Sequence, residues 1–182
     1  MTAKAERPRQ LDFIVDKLTN SIENTLTGKS VETEVVRLTE DDLLTLRGLK
    51  WTFDWAVELE NPDRQVHSLA TKENSSFWHA LVSSEDKRDH VFMHLIESAP
   101  VNKGRDKLFK GVAANLVAFL CKQSFEKGYN GVISFDAKTR LIEHYEKTLG
   151  AKRFSFNGMF IESPDAYILV KRYFPNYDYD RL

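Results

Sequence analysis

Residues 90–128 read HVFMHLIESAPVNKGRDKLFKGVAANLVAFLCKQSFEKG, and the fold is decided here. The first nine residues, His90 to Ser98, are nearly continuous in apolar side chains, as expected of a central strand covered on both faces. Pro100 ends that strand, and a polar loop from Val101 to Lys110 follows. Gly111 then opens a helix in which Ala113, Leu116, Val117, Leu120 and Ser124 share one face. Lys127 and Gly128 stop it, as a cationic last turn and a C′ glycine should. The junction itself has chemical content. A first turn of Lys110, Gly111, Val112, Ala113 and Ala114 presents unpaired backbone N–H groups with nothing bulky in front of them. Lys107 and Lys110 add positive charge beside the helix dipole, so the turn suits a diphosphate, or else is a plain glycine turn with exposed lysines.

Upstream, Leu11, Ile14, Val15, Leu18 and Ile22 recur at helical spacing and Gly28 closes the pattern. This predicts an N-terminal helical extension over residues 1–30, although the Thr and Asn content leaves a helix-then-strand split open. Thr33–Leu38 reads as a strand, Thr39 with Asp42 as a capping-box variant, and Leu43, Leu44 and Leu46 as the start of a helix. Trp51–Leu59 suits a second short helix. Gln65–Thr71, Ser76–Ser83 and His90–Ser98 then form a meander joined by polar turns. Downstream come a strand over Gly131–Ala137, Thr139 as N-cap, and a helix carrying Leu141, Ile142, Tyr145 and Leu149 inward before Gly150. Two strands, about Lys152–Glu162 and Ala166–Tyr173, complete the chain.

Composition bounds the function. The 182 residues support one core of ordinary size, with 26 Lys+Arg against 27 Asp+Glu and a net charge of −1. Nothing in that balance drives the chain toward phosphate backbones or anionic lipid, so no nucleic acid and no membrane are expected as partners. The single cysteine, Cys121, excludes an internal disulfide and fits a reducing cytoplasm. It should be an inert thiol inside its helix. Met1–Gln10 is polar with no apolar run behind it, and Val112–Cys121 is too short to span a bilayer. No metal site is expected: His90 and His94 stand four residues apart on a strand, about four rises of ~3.3 Å, too far for one zinc. His79 and His94 could instead face each other across neighbouring strands.

The string from Lys138 to Ala151, KTRLIEHYEKTLGA, adds the second landmark. Together with the Gly111 turn, it resembles the GNAT superfamily of acyl-CoA-dependent N-acyltransferases. The family's diphosphate motif, Q/R-x-x-G-x-G/A, is met at Gly111 and Ala113, with Leu108 where Gln or Arg is usual. Its second pattern, N-x-x-A-x-x-x-Y-E-K-x-G-F, is met at Tyr145, Glu146 and Lys147. One extra residue precedes Gly150, and Lys138 and Leu141 replace the pattern's Asn and Ala. The resemblance covers roughly Thr33 to Phe174. It implies a mixed α/β (α+β) domain over 31–182, with a central twisted, mostly antiparallel sheet of about six or seven strands and helices on both faces.

The resemblance also implies acetyl-CoA as co-substrate and an amine, on a small molecule or a protein, as acceptor; a homodimer is compatible with it. Ile96 and Ser98, on a strand splayed from its neighbour near Glu97–Pro100, would bind the pantetheine arm and the oxyanion. Lys110, Gly111, Val112, Ala113, Ala114 and Lys138 would hold the diphosphate. Tyr145 is the candidate general acid, a phenol of ordinary pKa ~10 facing a thiolate of ~8.5, or else the amphipathic aromatic of its helix. Glu97 is the candidate base, its pKa raised by partial burial, or else a solvated strand-end carboxylate. His94 is an outside candidate for the base. Asn102 orients substrate or shapes the turn after Pro100, and Trp55 stands with Trp51 and Trp78 as core or pocket wall. The rival reading is a non-catalytic module that keeps the fold and serves in CoA binding, protein interaction or regulation. A nucleotide-phosphate cradle at Gly111 is weaker, since neither a P-loop ending nor a G-x-G-x-x-G is present.

Overall fold

The computed structural model describes residues 9–19 and 21–181. Its strands are β1 (Ile22–Asn24), β2 (Ser30–Val31), β3 (Thr33–Arg37), β4 (Gln65–Thr71), β5 (Ala80–Asp86), β6 (Val91–Ser98), β7 (Phe109–Lys110), β8 (Ile133–Asp136), β9 (Lys152–Arg153) and β10 (Gly158–Ile161). Its α-helices are α1 (Leu43–Gly48), α2 (Trp55–Glu60), α3 (Val112–Glu126), α4 (Ile142–Leu149) and α5 (Ser163–Tyr173). The main sheet has seven strands in the order β3-β4-β5-β6-β8-β10-β9. Every neighbouring pair in it is antiparallel except β6 and β8. A small second sheet, β2-β1-β7, joins the N-terminal segment to the residues just before α3.

The central strand is apolar on both faces because both are covered: Val91, Met93, Leu95 and Ile96 are all buried. Against it packs α3, whose Leu116, Val117, Leu120 and Cys121 are excluded from solvent. That helix in turn rests on α5. Burying the side chain of a Leu or Val in such a layer stabilises the fold by roughly 1.5–3 kcal/mol, and one contiguous cluster joins the sheet to these helices.

Five expectations are corrected. No helix forms over residues 9–31 among the described residues; the chain there is extended, with one isolated bridge from Leu11 to Ala137 and the short strands β1 and β2. Leu11, Val15 and Ile22 are buried at near-helical intervals, but through separate long-range contacts, a pattern that periodicity alone cannot tell from a helix face. The predicted strand Ala166–Tyr173 is the helix α5. Pro164 and Asp165 lie in its first turn, Lys171 and Arg172 in its last, and Ala166, Leu169, Val170 and Tyr173 are its buried face. Lys152–Glu162 is two strands joined by a turn. The second strand of the meander begins at Ala80 and runs through Ser84 to Asp86, leaving Ser76–His79 outside it. Finally, Lys138 rather than Thr139 is the N-cap of the short 3-10 turn Thr139–Leu141 that leads into α4.

Candidate active site

Two features of the chain line one cleft, and a third, α4 with Tyr145, lies behind the lining residue Phe13. The first is the parting of β6 from β8, which are paired only at Val91↔Ile133 and Phe92↔Ser134. β6 continues to Ser98 beyond that point without β8 beside it. On its other edge the register with β5 shifts between Ser83 and Ser84, so that His94 is an extra residue on β6. The splay expected near Glu97–Pro100 therefore begins earlier, just past Phe92.

The second feature is the start of α3. Gly111 is its N-cap with φ of +78°, a left-handed conformation that only glycine adopts without strain. A Cβ there would run into Thr19 Oγ1 and stand 3.0 Å from the Ser21 carbonyl. Val112 and Ala113 line the cleft, while Ala114 is buried behind them. Lys110 lies in β7, paired with Glu23. The third feature is α4, which brings Tyr145 beside Phe13 and Phe135. Tyr145 is fully buried, and its hydroxyl donates to the Phe13 carbonyl at 2.7 Å. Burial first, and Asp12 after it, push its phenol well above the ordinary range.

Glu97 has a setting the sequence did not suggest. Its side chain is 2% exposed. Oε1 accepts from Thr52 N (2.8 Å) and Lys103 Nζ (2.8 Å), and Oε2 from Phe53 N (3.3 Å) and Trp55 Nε1 (2.9 Å). Burial pushes the carboxyl up, but the Lys103, Trp55 and Thr52 donors outweigh it and hold the group below the usual carboxylate range. The raised pKa expected of a base is absent. Glu97 is instead the clamp that fixes the Thr52–Trp55 turn against β6.

His94 does not face His79; its Nε2 lies 2.7 Å from Glu85, and it is not among the residues lining the cleft. His79 sits between Phe77 and Phe109 and meets Asn102 Nδ2 at 3.1 Å through Nδ1. Burial lowers its pKa to about 4. Asn102 is buried, donates to the His79 carbonyl and accepts from Phe109 N, so it ties the loop before α3 to the residue that leads into β5. Cys121 is wholly buried and burial pushes its thiol up. No cluster of three or more metal-ligating side chains occurs among the described residues, and no described helix is long and apolar enough to cross a membrane.

The residues that sequence reasoning missed are those of the N-terminal segment. Asp16 Oδ1 accepts from Gly111 N at 3.0 Å, and its Oδ2 pairs with Lys107 Nζ at 2.9 Å. Asp12 pairs with Lys138 Nζ at 2.5 Å. Asp12, Phe13, Ile14 and Asp16 share a cavity of about 230 Å³ with Ile96, Glu97, Ser98, Val112 and Ala113. The only signal in the sequence was two acids four residues apart flanking the apolar run Phe13–Val15, and pairing over more than 90 positions leaves no local pattern.

No protein-family model matches the chain, and no curated protein matches it. Solved structures do. AtaTR bound with AcCoA superposes with a TM-score of 0.54 at 14% identity, covering 76% of this chain and 98% of that one. Spermidine N-acetyltransferase from Vibrio cholerae in complex with CoA and spermine gives 0.53 at 12%, covering 75% and 98%. A KacTA–DNA complex gives 0.57 at 9%, covering 76% and 98%. A mostly antiparallel seven-stranded sheet parted beside a glycine-capped helix, in a chain that matches these proteins over three quarters of its length, is the fold of the GNAT superfamily of acetyltransferases.

Proposed function

We propose that the protein is an acetyl-CoA-dependent N-acetyltransferase that moves the acetyl group to a primary amine by direct attack. The observation that carries this reading is the parting of β6 from β8 beside the start of α3, with Ile96, Ser98, Val112 and Ala113 around one cleft. The residues present fit the donor. Gly111 has no side chain, Ala113 and Ala114 have small ones, and Lys107, Lys110 and Lys138 supply charge. Backbone N–H groups at Gly111, Val112, Ala113 and Ala114 would hold the diphosphate. The strand backbone at Ile96 and Ser98 would hold the pantetheine arm and the oxyanion.

Acetyl-CoA supplies an acyl carbon activated as a thioester. The amine lone pair attacks that carbon, the carbon–sulfur bond breaks, the thiolate takes up a proton and the new amide nitrogen sheds one. Tyr145 is assigned the proton for the thiolate: burial holds the phenol above its ordinary pKa, so it is protonated at rest, and it must lose that burial before it can give the proton to a thiolate of ~8.5. Glu97 is assigned a positioning part, because three of its four contacts hold the Thr52–Trp55 turn and the fourth is the Lys103 ammonium. Trp55 and Asn102 fix the two walls between which the acceptor enters. His94 stays outside the reaction. The lone buried cysteine suits a reducing compartment, and we assign the protein to the cytoplasm.

The rival is a GNAT-fold module without turnover. Leu108 and Lys138 favour it, and so does the fact that Gly111 N, Lys107 and the Tyr145 hydroxyl all have partners inside the chain. A thiolate-release assay with acetyl-CoA and a panel of primary amines decides between them. Turnover with at least one amine is expected; CoA binding without turnover across the panel would give the rival the field.

A further inference from the structure

The groups assigned to the donor are already taken, and by one segment. Leu11 N donates to the Asp136 carbonyl (2.7 Å) and the Leu11 carbonyl accepts from Lys138 N (2.9 Å), so the segment makes one parallel bridge along the line β8 follows as it leaves β6. Two residues on, the Phe13 ring stacks on Tyr145 at 4.6 Å and its carbonyl takes the Tyr145 hydroxyl. Val15 N donates to His144 Nε2 at 3.0 Å. Asp16 then caps Gly111 and Lys107, as a phosphate oxygen would, and Thr19 lies directly over Gly111. Asp12 holds Lys138. The 230 Å³ left over is below the ~300–1,000 Å³ that encloses even a drug-sized ligand.

We infer that residues 11–19 are an internal strap that occupies the donor groove and must leave it before an acyl-CoA can enter. The inference rests on the donor reading above and adds its regulation. Two carboxylates, at Asp12 and Asp16, imitate the anionic part of the ligand, and the Phe13 backbone covers the candidate acid. The strap is built to come away. Between its one bridge and β1 it has no ladder partner, and Ile14, Asp16 and Lys17 are exposed, while Leu11, Val15 and Thr19 anchor it. A groove that is free only a fraction f of the time binds with an apparent Kd larger by 1/f, so closing it sets the acyl-CoA level at which the protein responds.

The test is calorimetric titration of CoA into the full chain and into Asp16→Ala and Phe13→Ala, with amide hydrogen exchange of the wild type with and without CoA. Both variants are expected to bind at least tenfold more tightly. In the wild type, CoA should speed exchange at Leu11 and Val15 and slow it at Gly111. Equal affinity in all three proteins with Leu11 and Val15 unmoved would make the strap a fixed wall and overturn the inference while leaving the donor reading intact. Tighter binding by Asp16→Ala alone, again with those amides unmoved, would reduce Asp16 to simple charge repulsion and overturn it equally. No CoA binding by any of the three would remove the donor reading and the strap with it. If a variant does not fold, exchange in the wild type decides.

Discussion

Two carboxylates flank the cleft, and each is held by a lysine and by backbone N–H. Glu97 is 2% exposed and engaged by four donors from the Thr52–Trp55 turn and Lys103. Asp16 is 20% exposed and holds Gly111 N, Lys107 and its own neighbour's amide. The chemistry is nearly the same, and the consequences differ because burial does. Removing a sealed acid strands its donors away from water, whereas the donors of a partly exposed acid on the cleft reach solvent or another anion. One wall of the cleft is therefore fixed, and the other is exchangeable.

The largest effect that could break this contrast is Glu97→Ala. Leaving Trp55 Nε1, Thr52 N, Phe53 N and Lys103 without their acceptor should cost roughly 3–5 kcal/mol of unfolding free energy in urea denaturation. A loss under ~1 kcal/mol would put Glu97 in the same class as Asp16.

Acid should weaken the fixed part next. His67 and His79 have pKa values lowered to about 4 from 6.5, by burial in both and by Arg37 as well for His67. Between those values the unfolded chain takes up protons that the folded chain refuses, so stability falls as pH falls. The slope is about 1.4 kcal/mol per pH unit for each group. Glu97 acts in the same direction: its depressed pKa contributes stability that is present above the ordinary carboxylate value and lost as pH drops through the folded one. Denaturation midpoints at pH 7, 5.5 and 4.5 should decline in that order, and a flat profile would contradict the buried neutral histidines.

Tyr145→Phe sharpens the comparison at the strap. It removes one hydrogen bond to the Phe13 carbonyl, worth about 1 kcal/mol of stability. If the phenol is the acid, kcat should also fall by tenfold or more with little change in KM. Equal kcat in both proteins would leave Tyr145 as packing alone. The smallest effect is that of Asp16→Ala on stability, expected within about 1 kcal/mol by thermal melting. A larger loss would mean that the strap is as fixed as the Glu97 wall.

How far the sequence could be read follows from the range of each interaction. The run Val91–Ser98, the Gly111 cap, the face of α3 and the close of α4 at Gly150 are local, set by side-chain period and by left-handed glycine, so they were legible. The α5 helix was misread because Tyr167, Ile168 and Val170 favour strands when taken singly, while Pro164 and the buried spacing favour a helix. Around the candidate site, the glycine cap at Gly111 and the inward position of Tyr145 on α4 could be read, but Glu97 was misjudged because burial was visible in the pattern and its four donors were not.

The sequence alone determined a near-neutral composition with one cysteine, and also a two-face-buried central strand and a helix start free of bulk, because these last two are properties of residues close together in the chain. Only the tertiary structure decided that residues 11–19 are extended rather than helical, that Asp16 lies on Gly111, and that Glu97 clamps a turn. Those outcomes depend on contacts across 42 to 132 positions, where packing and desolvation overrule local propensity.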